Sequence, residues 1–264
     1  MKILVTGSSG FIGTSMVKYL RKQGHSVRTA DIKKGKNLVS FSTCMKATKG
    51  IDWVIHLASD NGGYFYLKDN TSCAINNLLI DYAVIDACKI NKVKHFFYAS
   101  SSCVYPIRNP ENSYGKEKLI AENRLKESGL NYSIARFQNV YGPHETIGGI
   151  KEKVIPSFCR QILSGKVKVF GGGNQKRSFI YIDDLCEIVL KMIKKKTKLL
   201  DVGGHVVKLT DVLKELVSIN NQDVEIEYGL PIKDRTNRFP KNMSKTSLND
   251  GLRRTLKWVK KNIK

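Results

Sequence analysis

Three groups of residues in this 264-residue chain have the types and spacing that chemistry requires. The first is Gly7-Ser8-Ser9-Gly10-Phe11-Ile12-Gly13, which directly follows the strand-like run Lys2-Ile3-Leu4-Val5-Thr6. A first glycine permits a tight turn and a second lets backbone approach a pyrophosphate. A third lets the next helix pack on the strand, with the helix N-terminus facing the anion. Asp31, closing the next strand-like stretch, can accept hydrogen bonds from both hydroxyls of an adenosine ribose and would repel a 2′-phosphate, so NAD is expected rather than NADP. In the second group, Tyr114 and Lys118 stand four apart and share one face of a helix. An ammonium beside a phenol favours phenolate, and it is expected to lower the phenol from its usual pKa of about 10. The third group, Ser100-Ser101-Ser102-Cys103, lies at a strand end, where α/β sheets hold their ligands. Cys103 is a thiol able to give or take a proton or, equally, a small buried hydrophobe.

These groups must be positioned by alternating strands and helices, which predicts a Rossmann-type doubly wound parallel sheet with a small C-terminal α/β lobe. Strands are expected at 2–6, 26–31, 51–58, 95–101, 132–137, 178–182, 199–202 and 224–228. Helices are expected at 13–22, 72–91, 113–128 (capped by Ser113), 156–164, 210–220 and the C-terminus, with another capped by Asp183. The stretch 32–50 has no clear pattern. Residues 1–140, joined by about 178–205, are expected to form the nucleotide-binding domain, with 141–264 an interleaved smaller lobe.

Composition narrows the function classes. With 41% hydrophobic and 26% charged residues the chain can bury a core. No run approaches the roughly 20 apolar residues of a membrane span, and no secretion signal is read at the N-terminus. Six cysteines without a CxxC pair and five histidines without ligand spacing argue against a disulfide framework or metal site and for a cytoplasmic protein. The net charge of +22 favours polyanions in general. The basic residues are mostly lysines in clusters (191, 194–196, 198; 257, 260, 261, 264) with no aromatic ladder, so solvated faces are expected rather than a nucleic-acid surface.

The Gly7-x-x-Gly10-x-x-Gly13 spacing with Tyr114-x-x-x-Lys118 resembles the extended branch of the short-chain dehydrogenase/reductase superfamily. Within it, Ser101-Ser102-Cys103-Val104-Tyr105-Pro106 resembles GDP-mannose 3,5-epimerases and GDP-fucose synthases, whereas dehydratases carry Asp-Glu at 102–103. Asp60-Asn61-Gly62-Gly63, Arg136-Phe137-Gln138-Asn139-Val140-Tyr141-Gly142-Pro143 and Lys153 match the epimerase pattern; the synthases have histidine at the last position and prefer NADPH. The resemblance covers residues 1 to about 190 well and the remainder loosely.

It implies an NAD-dependent nucleotide-sugar epimerase working through a transient 4-ketone. Tyr114, Lys118 and Ser101 would serve oxidation at C4, and Cys103 with Lys153 would form an acid/base pair. NAD would lie against Gly7, Gly10, Phe11, Ile12, Gly13, Asp31, Leu57, Ala58, Asn76 and Phe137 as well as Tyr114 and Lys118. The nucleotide-diphosphate sugar would meet Gly62, Gly63, Ser101, Cys103, Asn139, Glu152, Lys153, Gln175, Arg177 and one or both of Arg235 and Arg238. A homodimer through helices 72–91 and 113–128 is implied, with no membrane partner.

The chain departs from the pattern at 32–50, which is short and lacks an acid, in the reduced 106–114 loop, and after Phe239. A UDP-sugar 4-epimerase and a GDP-sugar epimerase/reductase therefore remain alternatives. A non-enzyme alternative is an NAD-binding sensor or RNA-binding protein of the same fold, although neither needs Ser101, Tyr114 and Lys118.

Overall fold

The computed structural model describes residues 1–63, 66–67, 72–110, 112–231 and 239–263. The chain divides into two compact units, residues 1–137 with 186–201, and 138–185 with 202–264.

The first unit is built on β1 (Lys2–Thr6), β2 (Ser26–Ala30), β3 (Trp53–His56), β4 (His95–Ser101) and β5 (Tyr132–Phe137). With Leu199–Val202 they form one six-stranded sheet, ordered β2-β1-β3-β4-β5 and then that last strand. The pairs β1·β2, β1·β3, β3·β4 and β4·β5 are all parallel. Ile3, Leu4, Val5, Val54, Ile55, Phe96, Phe97, Tyr98, Ile134 and Ala135 are fully buried. Such unbroken apolar strands are what a sheet covered on both faces demands. β2 and β3 lie on opposite sides of β1, so the strand order reverses there, and the crevice at the carboxyl ends of β1 and β3 is the place where open α/β sheets bind ligands.

The connecting helices are α1 (Phe11–Lys22), α2 (Phe41–Thr48), α3 (Ser72–Ile90) and α4 (Ser113–Glu127). α1 turns Met16, Val17 and Leu20 inward, one apolar stripe at helical spacing. α2 and the 3₁₀ turn Ile32–Lys34 occupy the stretch whose sequence has no clear pattern. α2 is only two turns long and buries just Cys44, Ala47 and Thr48, so its periodic signal is faint. Asn112, rather than Ser113, caps α4: its Oδ1 accepts from Gly115 N at 2.7 Å.

The second unit holds a three-stranded sheet in which Lys176–Tyr181 lies between Asn139–Tyr141 (parallel) and His205–Lys208 (antiparallel). A parallel pair joins Lys166–Val169 to Glu225–Tyr228. Asn139–Tyr141, Lys166–Val169 and His205–Lys208 are not anticipated from sequence, because three or four residues carry too little alternation. The helix α5 (Val154–Leu163) starts two residues earlier than expected, as Pro156 is tolerated within a first helical turn. Leu209–Asn220 and Leu248–Asn262 are further helices of this unit. Among the described residues no helix is long and apolar enough to cross a membrane. Lys191, Lys194, Lys195, Lys196, Lys198, Lys257, Lys260 and Lys261 are all exposed.

Candidate active site

The glycine turn sits at the crevice. Gly7 has φ +62°, and a Cβ there would lie 2.7 Å from Ala58 N, so neither a side chain nor its backbone shape would be tolerated. A Cβ on Gly13 would meet the Gly7 carbonyl, which is why α1 can start so close to β1. Gly10 precedes α1 without a side-chain cap, and the first turn of α1 carries no acid. The helix N–H groups are therefore left for an anion. Asp31 is buried beside the turn, its Oδ2 accepting from Ser9 N at 2.8 Å and its Oδ1 from Lys33 N at 2.9 Å. Phe11 and Ile12 are half-buried at the start of α1, and Phe137 is buried with its ring 6.3 Å from that of Phe97.

Tyr114 is held by a second glycine. A Cβ on Gly115 would strike the Cys103 carbonyl, so glycine lets the first turn of α4 rest directly on the 3₁₀ turn Ser102–Val104. That contact brings Tyr114 and Cys103 into one small apolar cluster with Tyr66, Leu67 and Cys73. Ser101 caps the turn, its Oγ accepting from Cys103 N at 3.2 Å. Lys118 Nζ lies 5.6 Å from the centre of the Tyr114 ring, and both side chains are buried. The phenol is not lowered, as the sequence suggests; it is pushed up to about 12. Burial is the largest cause, and Lys118 opposes it without overcoming it.

Lys118 is itself the end of a buried chain that its sequence neighbours do not announce. Its Nζ donates to Tyr98 Oη at 3.1 Å, and Tyr98 Oη donates to Asp81 Oδ2 at 2.6 Å. Asp81 Oδ1 is 2.8 Å from His56 Nε2, and His56 Nδ1 is 2.7 Å from Thr6 Oγ1. Thr6 Oγ1 already accepts from Leu57 N and Ala58 N, so its own hydrogen points to Nδ1, which makes Nε2 the donor to Asp81. Burial pushes Asp81 up, but Lys118 and His56 outweigh it and hold the carboxyl below its usual value. Burial pulls Lys118 down, but Glu117 and then Asp81 prevail and keep it above its usual value. Glu117, 3.6 Å from Lys118, is raised by burial to about 8. No spacing motif marks His56, Asp81, Tyr98 or Glu117; only folding brings them together.

Asn76, expected at the cofactor, is on the exposed face of α3, whereas its neighbour Asn77 is fully buried. Asn77 Oδ1 accepts from Asp60 N at 2.6 Å and its Nδ2 donates to Asp60 O at 3.0 Å, bracing the segment that contains Gly62 and Gly63. Gly62 packs under Tyr66, whose Cδ1 would be 2.8 Å from a Cβ.

In the second unit, Asn139 Nδ2 donates to Ser178 O at 3.3 Å. Gln175 is buried, its Nε2 donating to Gly171 O at 2.8 Å and its Oε1 lacking a donor among the described residues. Arg177 Nη1 donates to Lys176 O at 2.7 Å. The Glu152 carboxylate accepts from Gly148 N at 2.6 Å and is forked by Arg160, with Nη2 2.8 Å from Oε2. Lys153 Nζ is 3.6 Å from Oε1 of the buried Glu145. Arg235 and Arg238 lie outside the described residues.

The model of the NAD dependent epimerase/dehydratase family matches residues 3–206. The chain belongs to this family. Its relatives include GDP-mannose 3,5-epimerase 1 of Oryza sativa subsp. japonica, 30% identical over all of this chain and 82% of that protein. The GDP-mannose 3,5-epimerase of Arabidopsis thaliana is likewise 30% identical, over all of this chain and 83% of that protein. Among solved structures, the UDP-glucose 4-epimerase of Thermus thermophilus in complex with NAD superposes with a TM-score of 0.87 at 21% identity, covering both chains fully.

Membership makes the chain an enzyme with NAD as its cofactor. The residues present fit that group: Ser8 Oγ and Ser9 Oγ are buried without a partner among the described residues, in the turn whose glycines keep the space over the N-terminus of α1 clear. The Asp31 carboxylate beside them carries lone pairs beyond the two in use and has the chemistry for ribose hydroxyls.

Proposed function

We propose that this enzyme is an NAD-dependent nucleotide-sugar epimerase of the GDP-mannose 3,5-epimerase type. The observation that carries the reading is the packing of Cys103 against Tyr114, with Gly115 as the reason for it. A thiol beside the phenol has the chemistry for a second proton transfer at a neighbouring carbon. The 30% identity to the plant GDP-mannose 3,5-epimerases along the whole chain supports the choice of substrate class.

NAD is held by Gly7, Gly10, Phe11, Ile12, Gly13, Asp31, Leu57, Ala58, Phe137, Tyr114 and Lys118, with Asn76 the least suited of the expected residues because it is exposed. When bound, NAD supplies the acceptor for C4 oxidation and a positively charged ring that adds to Lys118 in favouring the Tyr114 phenolate. Tyr114, aided by Lys118 and Ser101, takes the proton of the C4 hydroxyl. The 4-ketone acidifies the hydrogens on C3 and C5, which are inert beside an alcohol. Cys103 and Lys153 then remove and return protons there, and Tyr114 gives its proton back when the alcohol is restored. Asn139, Gln175 and Arg177 bind the nucleotide sugar, the arginine by charge-assisted bonds to its phosphates. Glu152 is engaged by Arg160, so its contribution is to shape the turn before Lys153.

The protein acts in the cytoplasm as a homodimer. Ile75, Leu79 and Tyr82 form an exposed stripe at i, i+4 and i+7 on α3, and Ile120 is exposed on α4. Such a stripe is the seam of a helix–helix interface.

The test is incubation with GDP-mannose and a panel of GDP- and UDP-sugars in heavy water. The expected result is deuterium at C3 or C5, lost in Cys103→Ala while bound NADH still forms. Turnover without deuterium at either carbon would instead make this a 4-epimerase, and net consumption of NAD(P)H a reductase.

A further inference from the structure

Glu145 is a buried ionisable group that the mechanism above leaves without a role. It follows the short strand Asn139–Tyr141, and its setting is local. His144 adopts φ 73°, in the left-handed region, and its ring meets Trp258 edge-on at 5.5 Å. The chain thereby turns Glu145 inward, where it is 4% exposed and neither carboxylate oxygen has a hydrogen-bond donor among the described residues. An ionised carboxylate so far from water is strongly disfavoured unless a cation stands beside it. The cation is Lys153, at the start of α5, with Nζ 3.6 Å from Oε1. Glu152 does not compete for it, because Arg160 and Gly148 N already satisfy that carboxylate. Among the described residues, the other titratable group against Glu145 is Cys159 on α5; Glu152 adds a like charge, Arg160 lies behind Glu152, and His144 is next in the chain. Burial raises Glu145 to about 7, with Lys153 opposing.

We infer that Glu145 is the positioning residue of Lys153: its carboxylate pairs with the ammonium and fixes where the Nζ that returns a proton to carbon is held. The inference rests on the reading of Lys153 as an acid/base group. In that step an N–H bond of the ammonium breaks as a C–H bond forms at the carbanionic carbon beside the 4-ketone, leaving a neutral amine. The amine regains its proton from water, which its side chain, 38% exposed, can reach. The Glu145 charge fixes where the nitrogen points.

The experiment compares wild type, Glu145→Gln, Glu145→Asp and Lys153→Ala, using whichever GDP- or UDP-sugar shows deuterium wash-in with the wild type. Two rates are read: deuterium entry at C3 or C5, and formation of bound NADH by its near-ultraviolet absorbance, which reports C4 oxidation. Glu145→Gln removes the charge at constant size and Glu145→Asp withdraws it by one methylene. In both, wash-in is expected to fall roughly tenfold or more, while NADH formation stays close to the wild-type rate. The wild-type wash-in rate should also drop as pH falls through about 7, and Glu145→Gln should lack that limb. Equal loss of both rates, or wash-in unchanged in both Glu145 variants while Lys153→Ala abolishes it, would overturn the role of Glu145 alone. Wash-in unaffected by Lys153→Ala, or absent from the wild type with every sugar, would remove the reading of Lys153 and this inference with it.

Discussion

Burial governs the side chains of the candidate site. Tyr114 and Lys118 stand one helical turn apart, a spacing that promises an acidified phenol, yet desolvation outweighs the ammonium and the phenol rises to about 12. What keeps Lys118 charged in an apolar setting is Glu117 first and then Asp81, the latter reached through Tyr98 and tied by His56 to Thr6. Asp81→Asn leaves Lys118 and His56 around a neutral amide. It is expected to cost about 3–5 kcal/mol in urea denaturation, the range for breaking a buried pair by removing one partner, and to weaken C4 oxidation at neutral pH. Glu145 gives a second residue-level prediction. Its folded pKa, about 7, lies above the usual 4.5, so the folded state holds the proton more tightly. Its contribution to stability is therefore complete below about pH 4.5 and is lost as pH rises through about 7. Thermal unfolding of Glu145→Gln across that window should show a shallower decline than wild type.

At the scale of elements, two glycines decide how closely backbone can approach backbone. Gly13 lets α1 start against the Gly7 turn, and Gly115 lets α4 rest on the turn that carries Cys103. Gly115→Ala is expected to force these apart, at a cost of about 1–3 kcal/mol from overpacking, read in chemical denaturation. Because Tyr114 and Cys103 share that contact, C4 oxidation and deuterium entry should fall together, unlike the separate losses expected for Cys103→Ala. The parallel strands β1 to β5 are legible because each is a nearly continuous run of four to seven strand-forming residues. α2 is not, since two turns supply only three buried positions. The three short strands of the second unit gain their pairing from partners distant in sequence, such as His205–Lys208 against Lys176–Tyr181.

For the whole molecule, charge and apolar surface point in different directions. The exposed lysines among the +22 net charge keep the surface hydrated and repel copies of the chain at long range. Ile75, Leu79 and Tyr82 on α3 offer the apolar seam that would bring two copies together. Leu79→Glu should convert a dimer to a monomer in sedimentation velocity while leaving the unfolding midpoint of the isolated chain nearly unchanged, because Leu79 is half exposed. If two copies pair through this seam, added salt should strengthen the pairing by screening the lysines.

The fold class, the glycine turn before α1 and the Tyr114–Lys118 pair depend on neighbours within a few positions, so periodicity and spacing in the amino-acid order carry them. The ionisation of that pair does not, and neither do the chain from Lys118 to Thr6 or the approach of Glu145 to Lys153. These depend on which groups leave water together, and residues as far apart as 6, 56, 81, 98 and 118 meet only once the sheet has formed and the helices cover it. Desolvation is a property of the packed volume around a group, and no local stretch of chain encodes it.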